Sequence, residues 1–565
     1  MNKLSTVLCV LSLLARPSGA FAADPVKDYL QHRFSGEAVE IKDVTGLPQR
    51  ISDGKLHLNL KDFLALVLKN SADIQVTRLD VYTAADQITN AKAPFDPAIQ
   101  LNFNALHSVF PLGYAIGGPF ASGGGAGTGS GSLGQINLPQ TINSLSQRSS
   151  IDYTQRLPTG QQITADFTGD RSSGDSYLYP SLFGSLNFQI TQPLLQNRTN
   201  LQYRAPLKIA RTELLITSET SEAAIADSLA LAAREDWQAV LSRDNIRVQQ
   251  QALDLARKSY DHDKQALDLG ALAKLDIYQS ETQVAERNRD LIQAQYQYKA
   301  ALDSLRRLIG ADLTPAFRST EIVLDDDPTA VPSKEAILPF EDALAKAMQV
   351  RPEAKAAEQR VSVDELNARV ARDSLLPRLD LSLQGGATGP GLNQIVPGGV
   401  VGVAPSMPYP GLGQTLQQVM EFNYPSYGLG LQLTFPLRNS PAQAALADSL
   451  VSRAKDRYQQ RRVKEQIILD VRQALTSIEL ADASIQAAIR ARDLAQQNVL
   501  AEQQKYQLGS ITSFELLDSQ SRLASTESAL LSAYVGFQEA YIGYERATWT
   551  LLDGMGMILE RPHVR

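Results

Sequence analysis

Cysteine is almost missing: among 565 residues the only one is Cys9, close to the N-terminus. Disulfides need pairs of cysteines, and thiolate metal sites and cysteine nucleophiles need a thiol in the working chain, so the rest of the sequence supports none of them. Histidine is also scarce. His32, His57, His107, His262 and His563 are scattered with no ligand spacing, and no metal or other cofactor is expected. Positive charge is not in excess: the formal net charge is −7, which argues against the basic face of a nucleic-acid binder. Past the first residues there is no apolar run of the ~18 residues that a membrane-spanning helix requires. Proline is absent from Leu207 to Thr314 and from Ala442 to Arg561.

The N-terminus reads as an export signal. Lys3 gives a basic start, Leu4 to Ala15 is mostly apolar, and Ala20-Phe21-Ala22 is a small-x-small cleavage site. Cleavage before Ala23 would remove Cys9. Leu8 is too large for Cys9 to be read as a lipid-attachment site. An exported chain with no membrane-spanning helix is either soluble or enters a membrane as a β-barrel.

What is present is a repeated plan. Residues 60–103 and 340–383 align without a gap: Asp62 falls on Asp342, Leu64-Ala65 on Leu344-Ala345, and Pro97 on Pro377. Later, Asp254-Leu255-Ala256 matches Asp493-Leu494-Ala495, and Leu269-Gly270 matches Leu508-Gly509. Gln189 to Leu194 likewise parallels Gln432 to Leu437. Each half therefore reads helix, strand, loop, strand, very long helix, tight break, long helix.

The long helices carry heptads. Ile277, Val284, Leu291, Tyr298 and Leu305 recur every seven residues, as do Leu516, Leu523, Leu530, Phe537, Tyr544 and Leu551. Ile467, Ala474, Ala481 and Ala488 form one row, and Val471, Ile478 and Ile485 the next. Helices from about Arg204 to Asp268 and from about Ala442 to Gln507 would each run on the order of 100 Å. Rods of that length must pack side by side.

The strand segments alternate. Ile99, Leu101 and Phe103 are spaced by Gln100 and Asn102; Leu186, Phe188 and Ile190 by Asn187 and Gln189; Tyr427 to Phe435 by Gly428, Gly430, Gln432 and Thr434. One face is apolar and the other polar or small, as in a barrel wall between lipid and water. A soluble sandwich edge alternates in the same way. Two strands per half give four per chain, too few to close a barrel, so a wall would need several copies. Ile151-Asp152-Tyr153 and Ile163 to Phe167 suggest an additional hairpin, within 149–171, in the first half only; its place is left open. The Gly-rich stretch 111–146 lacks the Lys-Ser/Thr of a nucleotide loop and reads, with 385–425, as a surface loop.

With these features the chain resembles the TolC-type outer-membrane efflux protein family, the outer membrane factors, over about Leu58 to Gly554. The resemblance rests on the helix openings after Leu60 and Phe340, the strands after Pro97 and Pro377, and the two Leu-Gly tips followed by acids. It implies a mainly α fold with a small β part: duplicated helical hairpins forming a periplasmic α-barrel, and four strands per protomer in a trimeric 12-stranded outer-membrane β-barrel. The expected division is signal peptide 1–22, N-terminal extension 23–57, first repeat 58–310, equatorial linker 311–337, second repeat 338–554 and tail 555–565. The implied function is a passive duct, not an enzyme, in a tripartite efflux or type I secretion system. The implied location is the outer membrane of a Gram-negative bacterium, with a large periplasmic part. Implied partners are two further copies, a periplasmic adaptor, an inner-membrane transporter and outer-membrane lipid, and no nucleic acid. The competing expectation is an exported coiled-coil structural or adhesive protein.

The resemblance also implies a gate where the hairpin tips converge. The tips are Leu269-Gly270-Ala271-Leu272 and Leu508-Gly509-Ser510-Ile511, which would meet the adaptor. Asp276, Glu515 and Asp518 would ring the pore, and Tyr506 matches the tyrosine before the second tip. Like charges at a constriction repel and attract cations. Asp276 and Glu515 equally suit helix N-termini as dipole partners. Ile511 stands where the family often has an arginine, so the latch must be built differently. Asp261-His262-Asp263 reads as a solvated helix face rather than a metal site.

Overall fold

The computed structural model describes residues 51–556, apart from 53–54, 112–140, 175–179, 270–273, 314, 319, 333–336, 391–410, 509 and 555. The expected signal peptide, the extension as far as residue 50, and the tail from 557 lie outside the described residues. The first half runs β1 (Ile51–Ser52), β2 (Lys55–Leu58), α1 (Leu60–Asn70), α2 (Ala72–Lys92), β3 (Ala98–Pro111), β4 (Thr141–Arg156), β5 (Gln162–Gly174), β6 (Ser181–Pro193), α3 (Leu201–Asp268), α4 (Lys274–Ile309) and β7 (Glu321–Leu324). The second half runs α5 (Phe340–Val350), α6 (Pro352–Asp373), β8 (Arg378–Pro390), α7 (Leu412–Met420), β9 (Tyr424–Thr434), α8 (Ser440–Gln507), α9 (Ser513–Ala547) and α10 (Leu551–Gly554).

The duplication is metrical. α3 and α8 each have 68 residues, α4 and α9 have 36 and 35, α1 and α5 each have 11, and α2 and α6 have 21 and 22. α3 begins at Leu201, three residues before the expected start, and keeps Pro206 inside its second turn. α8 begins at Ser440 with Pro441 in its first turn, where a missing N–H costs no helical bond.

The heptad rows become the seams. Ile467, Val471, Ile478 and Ile485 of α8 are buried against Phe537 and Tyr544 of α9 and Ala343 and Ala347 of α5. Each fully buried aliphatic side chain contributes about 1.5–3 kcal/mol. Small residues elsewhere in these rows, such as Ala474 and Ala481, pack at the cluster's flank and let the backbones approach. Lower down, Val248 and Ala252 of α3 meet Ala524 and Leu531 of α9. Above the middle, α2, α3, α6 and α8 pack in that order; below it the order is α4, α3, α9, α8.

Around the middle, β2 pairs in parallel with β7, Lys55 opposite Glu321 through Leu58 opposite Leu324. Arg243 of α3 donates to the carbonyls of Leu324 (2.6 Å) and Asp326 (2.9 Å), and the Leu60 N–H donates to Asp326 (2.6 Å). These bonds tie the segment after α4 to the start of the first repeat.

The larger sheet has the order β3-β4-β5-β6-β8-β9, antiparallel throughout. The four strands expected from the doubled pattern are β3, β6, β8 and β9. The additional hairpin is β4–β5, longer than the expected 149–171. It is inserted between β3 and β6 in the same sheet, so among the described residues that sheet has six strands, not four. Only the first half has the insertion, so the doubled pattern gave no place for it. α7 lies on this sheet over Gly184 and Gly389. A Cβ at Gly389 would sit 2.5 Å from the Thr415 carbonyl and 2.9 Å from Val419, so only glycine permits the approach.

Candidate gate and membrane face

The sheet is two-faced. Paired positions bring Ile99, Tyr153, Ala165, Phe188, Gly385 and Tyr427 into one row of side chains. The next row holds Leu101, Ile151, Phe167, Leu186, Ala387 and Pro425. Much of this face is bare: Phe103 is 73% exposed, Leu429 68% and Tyr427 92%. A contiguous apolar surface of this kind marks an interaction with membrane or protein. The opposite face carries cross-strand polar bonds, from Asn102 to Asp152 (2.9 Å), Asn187 to Asp166 (2.9 Å) and between Thr168 and Ser185 (2.6 Å). Among the described residues no helix is long and apolar enough to cross a membrane.

At the far end of the helices lie the two tips. The α3 helix stops at Leu269, which is 84% exposed, and Leu508 after α8 is 80% exposed. Gly270, Ala271, Leu272 and Gly509 lie outside the described residues. The Ser510 N–H reaches back to the Lys505 carbonyl (2.9 Å), closing the end of α8, and Ile511 is half-buried. Thr512 caps the entry to α9 in an extended conformation.

Of the expected ring, Glu515 is exposed in the first turn of α9, and Asp518 is exposed one turn on. Asp518 pairs with Arg522 at 2.7 Å, which offsets its charge. Asp276 lies in the first turn of α4, and its side chain is outside the described residues.

Tyr506 is placed differently from a simple pore-lining ring. Its hydroxyl donates to the Asp263 carboxylate in the last turns of α3, and the same carboxylate accepts from the Ser280 hydroxyl of α4. The Asp263 side chain is 1% exposed and Ser280 is fully buried. His262 leans on the Tyr506 ring, centroids 5.2 Å apart, with its Nδ1 3.6 Å from Asp263. This corrects the sequence expectation: Asp261 and His262 face solvent, but Asp263 is a buried junction between the two hairpins. The available signal was the seam itself, because Asp263 lies seven residues after the buried Ala256.

Other polar contacts continue the junction upward. Arg287 donates to Ser521, Gln520 to Ser259 (3.1 Å), and Ser528 to Asn245 (3.0 Å). Phe514, 65% exposed beside the second tip, was also missed, since an aromatic in a first helical turn has no periodic signature. No group of His, Cys, Asp or Glu that could hold a metal occurs among the described residues.

The sequence matches the family model of the outer membrane efflux protein over residues 162–311 and 343–543, more than half of the chain. The chain belongs to the outer membrane efflux protein family. Solved structures agree in fold. VceC, an outer membrane protein of Vibrio cholerae, is 14% identical with a TM-score of 0.58, over 86% of this chain and 95% of that one. The CmeC outer membrane channel of Campylobacter jejuni is 12% identical with a TM-score of 0.57, over 87% and 86%. The MtrE outer membrane channel of Neisseria gonorrhoeae, solved in its open state, is 15% identical with a TM-score of 0.55, over 87% and 89%. No curated protein sequence matches significantly. As a family member this outer membrane efflux protein is of a channel type, and its long helical hairpins and β part are those of such channels.

Proposed function

We propose that three copies of this chain close into one passive export duct, a β-barrel in the outer membrane of a Gram-negative bacterium continued by a helical tube across the periplasm. The observation that carries the reading is a wall left open on both sides. β3 and β9 are edge strands, each bearing an apolar face, and an unpaired edge bearing such a face is a template for another copy. β3 and β9 run in opposite directions, so the β9 edge of one copy can meet the β3 edge of the next antiparallel. The helical layer is open in the same sense. α2, at one end of its order, exposes Val76, Leu79 and Tyr82, and α8, at the other, exposes Val451 and Tyr458.

In this reading the duct has no chemistry of its own. Energy and specificity come from an inner-membrane transporter joined through a periplasmic adaptor, in a drug-efflux or type I secretion assembly. The apolar, exposed tips at Leu269, Leu508 and Phe514 suit an adaptor. Asp276, Glu515 and Asp518 ring the narrow end, and Tyr506 with Asp263 holds it shut. The segment 311–337, with β2 paired to its β7 strand, forms a belt between the repeats 58–310 and 338–554.

Membrane extraction tests the reading. The protein is expected to resist carbonate and urea washes and to run as a trimer in detergent. Release as a soluble rod would overturn it and leave an exported coiled-coil structural or adhesive protein.

A further inference from the structure

The geometry points to a wider outer-membrane wall than the doubled pattern implies: the β4–β5 hairpin is itself membrane wall, each copy supplies six strands, and a trimer closes around eighteen. This rests on the barrel reading above and adds to it.

The hairpin is built into the ladder. β3 pairs with β4 from Ala98 opposite Thr154 to Pro111 opposite Thr141, and β5 pairs with β6 from Gln162 opposite Thr191 to Ser172 opposite Ser181. β3 reaches β6 only through the hairpin. A loop that merely projected above the membrane would leave β3 paired directly to β6.

The hairpin also keeps the faces of its neighbours. Ile151 and Phe167 lie in the apolar row between Leu101 and Leu186; Tyr153 and Ala165 lie between Ile99 and Phe188. Ser150, Asp152, Asp166 and Thr168 lie on the other face and bond to Asn102, Asn187 and Ser185 of the flanking strands. Arg148 and Asp170 pair on that polar face at 2.7 Å. A hairpin wet on both sides needs no such alternation, whereas a wall between lipid and lumen does. Ser149 and Gln147 of β4 are exceptions on the apolar face, and so is Arg171 of β5. Arg171 lies beyond the Phe167 row beside Gln147 (3.5 Å), towards the rim, where a charge on the lipid side costs least.

The apolar face is shared by all six strands, but it is shortest on the hairpin, where it spans Ile151 to Tyr153 on β4 and Ile163 to Phe167 on β5. It covers Pro425 to Leu433 on β9 and Leu379 to Ala387 on β8, but on β3 it runs from Ile99 to Val109. Leu429, in the middle of the β9 band, shares its row with Leu383, Ile190, Ile163 and Gln155, a row that ends one position short of the start of β3. The band is level between β8 and β9, where Leu379 faces Leu433 and Ala387 faces Pro425, and lies higher on β3. It runs about 27 Å along β8, or about 20 Å in height at a tilt of about 40°.

The helices below set a matching circumference. Four helices per copy, α2, α3, α6 and α8, run beside one another in the upper half. Twelve helices at 8–10 Å spacing enclose about 110 Å. Eighteen strands about 4.8 Å apart and tilted by about 40° also enclose about 110 Å, so such a barrel can seat on the helical tube. The barrel mouth would then be about one and a half times as wide as a twelve-stranded one, suited to bulkier cargo.

The experiment uses spin labels on single cysteines in the trimer reconstituted in liposomes, with Cys9, the one native cysteine, replaced by serine. Ile151→Cys and Phe167→Cys are expected to show an oxygen-to-nickel-chelate accessibility ratio several-fold above Ser150→Cys and Thr168→Cys. The control pairs are Leu101→Cys with Asn102→Cys, and Leu431→Cys with Gln432→Cys. If the controls report lipid while both hairpin faces report water, the six-strand wall is overturned and the barrel reading stands. If Leu101→Cys and Leu431→Cys also report water, the barrel reading itself falls. A strand count in barrel cross-sections of the wild-type trimer gives an answer independent of any variant: eighteen supports the inference and twelve overturns it.

Discussion

The Tyr506 hydroxyl donates to the buried Asp263 carboxylate, and this bond joins the last turns of α8 to the last turns of α3 just before both helices end at their tips. Because Ser280 donates to the same carboxylate, three helices from both repeats meet at one acid. A carboxylate held at 1% exposure needs these donors, and removing one costs about 1–3 kcal/mol. Tyr506→Phe should therefore loosen the tips. The expected outcome is a larger single-channel conductance in planar bilayers, with a trimer that still forms. Currents identical to wild type would remove the pair from the gate.

The acids beyond the tips should not act equally. Asp518 is neutralised in part by Arg522, while Glu515 stands exposed in the first turn of α9. At a three-fold constriction an uncompensated carboxylate contributes more to cation attraction than a paired one. Glu515→Gln is therefore expected to weaken block by divalent cations more than Asp518→Asn does. Arg522→Ala should strengthen block. Equal effects of the two acid variants would leave Glu515 with only a helix-dipole role.

How much of this was legible follows from the kind of signal each feature leaves. Heptads extend over many turns, so Ile467, Val471, Ile478 and Ile485 announced the α8 seam, and the structure buries all four. Repeat alignment found β3, β6, β8 and β9 because each has a counterpart or a clear alternation. β4–β5 has no counterpart in the second half, so its alternation showed but its partners did not. Asp263 was misread because it was judged with its neighbours Asp261 and His262 rather than against Ala256, one heptad earlier. Arg351 and Arg546 were not singled out, because their partners lie on other helices and no local spacing reveals them.

Asp236, near the middle of α3, gives the helical part a pH dependence. Both of its carboxylate oxygens are buried with no hydrogen-bond partner. Burial first, then the charge of Asp326, pushes its carboxyl up to about 7, with Arg243 pulling the other way. A folded value above the unfolded one favours the protonated acid in the fold. Stability is therefore greatest below about pH 4 as far as this group is concerned, and falls as pH rises through 7, by on the order of 4 kcal/mol in full. Glu545, pushed up to about 7 by burial against a hydrogen bond with Tyr541, adds to the same trend. Asp236→Asn should raise the thermal midpoint of the protein at pH 8 more than at pH 5. An equal shift at both values would show that Asp236 does not titrate in this range.

Glu353, at the first turn of α6, works with the opposite sign. Arg351 donates to it at 3.0 Å and Arg546 at 2.7 Å, and these arginines reach on to Asp470 of α8 (2.8 Å) and Asp227 of α3 (2.5 Å). One carboxylate thus lies at the centre of a charge network that ties α6, α8, α9 and α3. Burial pushes its carboxyl up, but the Arg351 hydrogen bond and the charges of Arg546 and Arg351 outweigh it and hold the group at about 2. A folded value below the unfolded one means that the stability is fully present above about pH 4.5 and lost as pH falls through 2. The difference is on the order of 3 kcal/mol. Glu353→Gln leaves the Arg351 and Arg546 side chains, 7% and 12% exposed, short of an acceptor, which costs a similar amount. The thermal midpoint of Glu353→Gln should lie well below wild type at pH 7, and the two should converge as the pH approaches 2. A gap between them that stays constant from pH 7 to 2.5 would mean that the carboxylate charge does not hold these helices together.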